Sequence, residues 1–109
     1  VCSSDLYQTT ITGNSQTTGY TLVASDAGKY INITTGGVTV PNSVFSDGQA
    51  ISIYNNSGSN QTITQGASVT MYLAGSATTG NRTLAQHGIC TVLYVGNTST
   101  CVISGAGLT

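Results

Sequence analysis

The stretch GNRTLAQHGICTVLYV, Gly80 to Val95, holds the chain's one arginine, Arg82, and its one histidine, His87, just before a run of alternating apolar residues. In an extended chain Ile89, Thr91, Leu93 and Val95 point to one side and Cys90, Val92 and Tyr94 to the other, because successive strand side chains alternate between faces. Thr91 is the one conventional polar side chain among them. That pattern predicts a central strand covered on both faces. Thr100 to Ser104, with Val102 and Ile103, reads as its hairpin partner across the turn Gly96-Asn97-Thr98-Ser99. The pairing sets Val95 opposite Thr100 and Cys101 opposite Tyr94.

Working outward, the same period of two recurs in short pieces. Tyr20 to Ala24 and Tyr30 to Thr34 flank Ser25-Asp-Ala-Gly-Lys29, which reads as strand, tight turn, strand, with Asp26 bonding the local backbone and Gly28 taking a positive φ. Val38-Thr-Val40 ends at Pro41, the sole proline, which suits a strand exit. Ile51 and Ile53 alternate with Ser52 and Tyr54 ahead of the loop Asn55 to Asn60, and Thr62 to Thr64 and Val69 to Leu73 follow around Gly66. Helix-period spacing is absent over any full window. The expected fold is therefore all-β: a small antiparallel β-sandwich or jelly-roll-like barrel of eight or nine short strands. A parallel sheet is not expected, since no helix is on hand to cross over.

Composition narrows the function classes. Among 109 residues 5% are charged and the formal net charge is -1, while Ser, Thr and Asn fill 40 positions. The polar surface is hydroxyl and amide, with no basic stripe to neutralise phosphates, so nucleic-acid partners are not expected. Residues 48 to 81 carry no charge but are broken throughout by Asn, Gln, Ser, Thr and Gly, so membrane insertion is not expected either.

The first six residues, VCSSDL, differ in texture from the rest. They match the translation of a sequencing-adapter remnant, GTG TGC TCT TCC GAT CTG, and residues 1–6 are set aside as a metagenomic assembly or cloning remnant. Residues 7–19, rich in Thr, Asn and Gln, read as a polar arm or linker, and residues 20–109 as the β-module.

Arg82 and His87 are the first candidates for chemistry. A histidine general base needs an orienting partner, and the carboxylates beyond the remnant are Asp26 and Asp47, each in a turn context. His87 with Gly88 reads instead as a turn entering the central strand, and Arg82 as exposed or ion-paired with Asp26 or Asp47. No catalytic, cofactor-binding or metal-binding residues are expected: one His, two carboxylates and two thiols on strands make no ligand set. Gly105-Ala-Gly107 has no helix after it and makes no dinucleotide loop. Cys90 and Cys101 sit too far apart along the paired strands for a disulfide and read as small buried apolar residues. Sequons at Asn32, Asn55, Asn60, Asn81 and Asn97 follow from composition. Tyr7, Tyr20, Tyr30, Tyr54, Tyr72 and Tyr94 divide between core positions and surface ones able to stack on neutral sugars.

The succession YTLVASDAGKYINI, VTVPNSVFSDGQAISIYNN, NRTLAQHGICTVLYV and CVISGAGLT, covering Tyr20 to Leu108, resembles a structural module of tailed-phage virion proteins found in tail fibres and receptor-binding appendages. Cys101 stands where that module usually has a tryptophan, which implies a smaller core plug. The resemblance implies a non-enzymatic virion domain, homotrimeric by analogy, that adheres to a host surface glycan or protein. A subunit of an extracellular filament and a non-catalytic carbohydrate-binding module are the alternative expectations.

Overall fold

A computed structural model describes residues 11–109. Residues 1–6, Tyr7 and the start of the polar stretch lie outside the described residues. Nine strands form: β1 (Gly13–Gln16), β2 (Tyr20–Thr21), β3 (Tyr30–Ile33), β4 (Val38–Val40), β5 (Ala50–Asn55), β6 (Gln61–Gln65), β7 (Thr70–Leu73), β8 (Arg82–Tyr94) and β9 (Thr100–Leu108). They make one mixed sheet ordered β1-β3-β5-β8-β6-β4-β2, with β9 on β8 and β7 on β9, curled into a nearly closed barrel.

The all-β expectation holds, but the sheet is not wholly antiparallel. β1, β3 and β5 run parallel in one wall, and β2, β4 and β6 run parallel in the other. The chain shuttles from wall to wall and lays each circuit on the last, about 4.8 Å along. Each parallel crossover is thus a strand of the opposite wall, which does the work usually given to a helix. For the same reason the segments flanking Ser25 to Lys29 do not pair with each other: β2 joins β4, while β3 joins β1 and β5.

The long strand β8 closes the stack. Its C-terminal half lies antiparallel on β5, Ile53 against Cys90 and Ile51 against Val92, and its first residues lie antiparallel on β6, Gln61 against Leu84. β9 returns along it with Tyr94 opposite Cys101, the register expected from the hairpin turn. Inward positions form apolar rows: Ile31, Ile53 and Cys90 across one wall, Val38 and Ile63 across the other, all buried. Burying each such side chain stabilises the fold by about 1.5–3 kcal/mol. Phe45, from the loop after Pro41, enters this core beside Tyr94 with ring centroids 5.2 Å apart.

Two further expectations change. The polar stretch is not a free arm throughout, because Gly13–Gln16 adds to the sheet beside β3, with Asn14 and Gln16 finding side-chain partners on the way. And β8 is covered on one face only. Cys90, Val92 and Tyr94 are buried, whereas Ile89, Leu93 and Val95 are 49%, 41% and 45% exposed.

Candidate functional site

His87 sits at a corner inside β8. The β8–β9 register shifts between Leu84 and Ile89, and within that bulge His87 takes a φ of 55°. A left-handed conformation costs a non-glycine residue about 1–2 kcal/mol; the next residue is Gly88, where a Cβ would lie 2.9 Å from the Ala85 carbonyl oxygen and 3.0 Å from that of Ala106. The imidazole Nδ1 shares a hydrogen bond of 2.9 Å with the Tyr54 hydroxyl. Neither carboxylate meets it. Asp47 Oδ1 accepts from the Gly96 N–H at 2.8 Å, and Asp26 is held elsewhere. Arg82 Nε donates to the Asn81 carbonyl at 2.8 Å. No group of three or more His, Cys, Asp or Glu side chains converges among the described residues.

Asp26 has a role its turn context did not disclose. It is 1% exposed and lies in a 3-10 turn, Ala24–Asp26. Oδ2 accepts from the Tyr20 hydroxyl at 2.6 Å and the Val23 N–H at 2.9 Å, and Oδ1 from Asn14 Nδ2 at 2.8 Å. Gln16 Nε2 donates in turn to Asn14 Oδ1 at 2.7 Å. Burial and the bond to the carboxylate push the Tyr20 phenol above its ordinary value, because an ionised Tyr20 would lose that bond and face a like charge. This polar group closes the β1–β2 end of the stack, as terminal coils of stacked-coil proteins do. The sequence signal was faint: Asn14 lies in the stretch read as a linker.

Both described cysteines are free and buried, Cys90 opposite Gly105 and Cys101 opposite Tyr94. Burial pushes the Cys90 thiol up to about 12 and the Cys101 thiol up to about 11. Tyr94, also raised by burial, donates its hydroxyl to the Pro41 carbonyl. The sequon residue Asn55 is wholly buried, its Nδ2 donating to the carbonyls of Ser59, Leu84 and Ala85. In the folded chain its amide is spoken for.

Several of the loops after β5 are uncharged and fixed by side-chain hydrogen bonds. Ser57 Oγ donates to Asn55 Oδ1 at 2.6 Å and receives Gln61 Nε2 at 3.1 Å. Gln65 Oε1 accepts the N–H groups of Met71 and Gly80, Asn81 Oδ1 that of Gln65, and Asn97 Oδ1 that of Ser99. The Asn97–Ser99 bond is an Asx-type turn, whereas Gln65 and Asn81 bridge separate loops. Of the tyrosines, Tyr94 is core and Tyr20 is tied to Asp26. Tyr30, Tyr54 and Tyr72 stand on the outer side of the sheet, Tyr72 38% exposed.

No protein-family model matches the chain, and no curated protein matches it. The geometry defines a fold: a wall-to-wall stack of β-coils capped by an antiparallel hairpin.

Proposed function

We propose that this chain is a structural domain of a tailed-phage virion, a tail-fibre or appendage tip that adheres to a host surface through neutral polar and tyrosine contacts. The observation that carries the reading is the nearly charge-free exterior. Beyond the buried Asp26, the described residues contain as charged groups Lys29, Asp47 and Arg82. The remaining polar surface is hydroxyl and amide held in place by the loop hydrogen bonds above, and pre-ordered groups lose less entropy on binding a neutral surface. The order of motifs from Tyr20 to Leu108 favours the virion setting. A filament subunit is the second reading, favoured by the outer edge of β1, which carries neither Pro nor a charge to deter strand addition.

The test is binding of the labelled protein to a panel of bacterial envelope preparations at about 10 mM and about 1 M salt, where screening lengths differ tenfold. Adhesion that survives high salt supports the reading, and adhesion that collapses refutes it. Recovering the genes beside this one tests the setting: capsid, portal or tail genes support it, and a neighbourhood of cellular surface genes does not.

A further inference from the structure

Where β8 first meets β6, three side chains are linked through their own hydrogen bonds. Gln65 Oε1 accepts the N–H groups of Met71 at 2.9 Å and Gly80 at 3.1 Å, and Asn81 Oδ1 accepts the Gln65 N–H at 2.9 Å. Arg82 Nε donates to the Asn81 carbonyl at 2.8 Å. A side-chain amide has one oxygen and one NH2 group. With both oxygens held on backbone N–H groups, both NH2 groups must turn the other way. Gln65 Nε2, Asn81 Nδ2 and the two Nη groups of Arg82 are therefore left without an acceptor among the described residues. They face solvent: Asn81 is exposed, and the buried side-chain atoms that lack a partner are others, Asn32 Oδ1 and Asn42 Oδ1. Neither Asp side chain among the described residues serves the guanidinium, since Asp26 is held by Tyr20, Val23 and Asn14, and Asp47 by the Gly96 N–H.

We infer that this corner binds an acidic sugar, taking the carboxylate of a hexuronate unit on Arg82 and its hydroxyl oxygens on Gln65 and Asn81. The corner has donors to spare and no spare acceptor, so its ligand must bring oxygens. The planar fork of Arg82 fits a carboxylate through two parallel bonds. One cation balances one negative charge, whereas a phosphate dianion would be left half neutralised. The neighbouring NH2 groups suit neutral hydroxyl and ring oxygens, which a sugar carries beside its carboxylate and a simple organic acid does not. Both amides are fixed before any ligand arrives, because turning either one over would leave backbone N–H groups unpaired, and groups already ordered lose less entropy on binding. The site stands apart from the adhesive reading, which concerns the neutral groups of the surface.

Nuclear magnetic resonance on the 15N-labelled full chain tests this. With one arginine in the sequence, the Arg82 Nε–H gives a single resonance, and Gln65→Glu and Asn81→Asp identify the two NH2 pairs by deleting them. Sodium glucuronate added at low salt to about 50 mM should shift all three signals together, with a Kd of about 1–10 mM, the range of a few bonds to one small ligand. Glucose, acetate and inorganic phosphate should each bind at least about tenfold more weakly. Gln65→Glu keeps an oxygen for the Met71 and Gly80 N–H groups but sets a carboxylate beside Arg82. It should hold the wild-type Tm and weaken glucuronate binding at least about tenfold. Arg82→Gln, which removes the fork, should weaken it as much. Unmoved signals, glucose binding as tightly as glucuronate, or either variant binding like the wild type would overturn the inference. So would acetate or phosphate binding as tightly as glucuronate, which would mean an adventitious ion only. Glucuronate binding by a protein whose adhesion collapses at high salt removes the adhesive reading alone, and salt-resistant adhesion without glucuronate binding removes this site alone.

Discussion

Replacing Asp26 by Asn changes one oxygen for an amide nitrogen, and the geometry makes that small change costly. The carboxylate accepts three hydrogen bonds, two of them, from the Tyr20 hydroxyl and the Val23 N–H, on Oδ2. An Asn side chain has one acceptor oxygen. If it keeps the bond from Asn14, its NH2 group points at the Val23 N–H and that partly buried donor is left unpaired. If it flips, Asn14 loses its acceptor instead. Hydrogen bonds to a charged group contribute about 1.5–3 kcal/mol each, and an unpaired buried donor costs about 1–3 kcal/mol. The expected loss for Asp26→Asn is therefore about 2–4 kcal/mol, a large share of the roughly 5–15 kcal/mol that holds a domain folded. Urea unfolding followed by far-UV circular dichroism and by tyrosine emission, in a chain with six Tyr and no Trp, measures it. Tyr20→Phe removes one of the same bonds, so the double variant should show a coupling of about 1 kcal/mol or more. An Asp26→Asn protein within about 0.5 kcal/mol of wild type, or losses from the two substitutions that simply add, would refute the claim that this buried carboxylate ties the end of the stack together.

Four other outcomes follow from the packing. Cys90 and Cys101 should not react with a thiol reagent in the native state at neutral pH, because buried neutral thiols are poor nucleophiles. Since the fold holds both thiols protonated up to about 12 and about 11, against 9.0 ordinarily, the unfolded chain releases those protons first. Their contribution is complete below pH 9 and is lost as pH rises through 11 and 12, so the urea midpoint of Cys90→Ala should fall less over that window than the wild type's. Gly37→Ala should destabilise by several kcal/mol or prevent folding, because φ is 72° and the added Cβ would lie 2.3 Å from the Thr62 carbonyl oxygen on β6. Phe45→Ala should cost about 3–5 kcal/mol by opening a cavity beside Tyr94, read as a lower urea midpoint with an unchanged m-value.

What could be read from the residues was whatever a period of two encodes. It located β5, β8 and β9, set Tyr94 opposite Cys101, and separated the two thiols. Alternation states which way a side chain points but not which way the neighbouring strand runs. The Ile31–Ile53 pair is parallel and Ile53–Cys90 antiparallel, and nothing in Ile-Asn-Ile or Ile-Ser-Ile distinguishes them. Direction is set by the connections, and here a strand of the opposite wall takes the place of the usual helix crossover. The Asp26 group is not legible for a related reason: its partners come from β1, β2 and a turn that only the stacking brings together, so no local spacing advertises them. Phe45 likewise sits in a loop with no period at all, and its burial is set by the space beside Tyr94.

The stretch from Gly80 to Val95 carries the two side chains that most invite a chemical reading, and the stack explains their position. A pile of parallel coils grows until something reverses the chain, and β8 does so by running antiparallel to the last strand of both walls, β6 first and β5 second. A single strand that serves two walls must turn a corner between them. The corner is the bulge from Ala85 to Gly88, where His87 adopts a left-handed backbone and Gly88 passes too close to Ala85 and Ala106 for any side chain. Gly105 is required on the returning strand for the same reason, since a Cβ there would lie 2.2 Å from the Ile89 carbonyl oxygen. Arg82 lies where β8 first meets β6, opposite Ile63, its Nε on the backbone of Asn81. Both residues thus stand where the geometry of closing the barrel places a strand end and a corner. The Tyr54–His87 bond then ties that corner to the wall it has just reached.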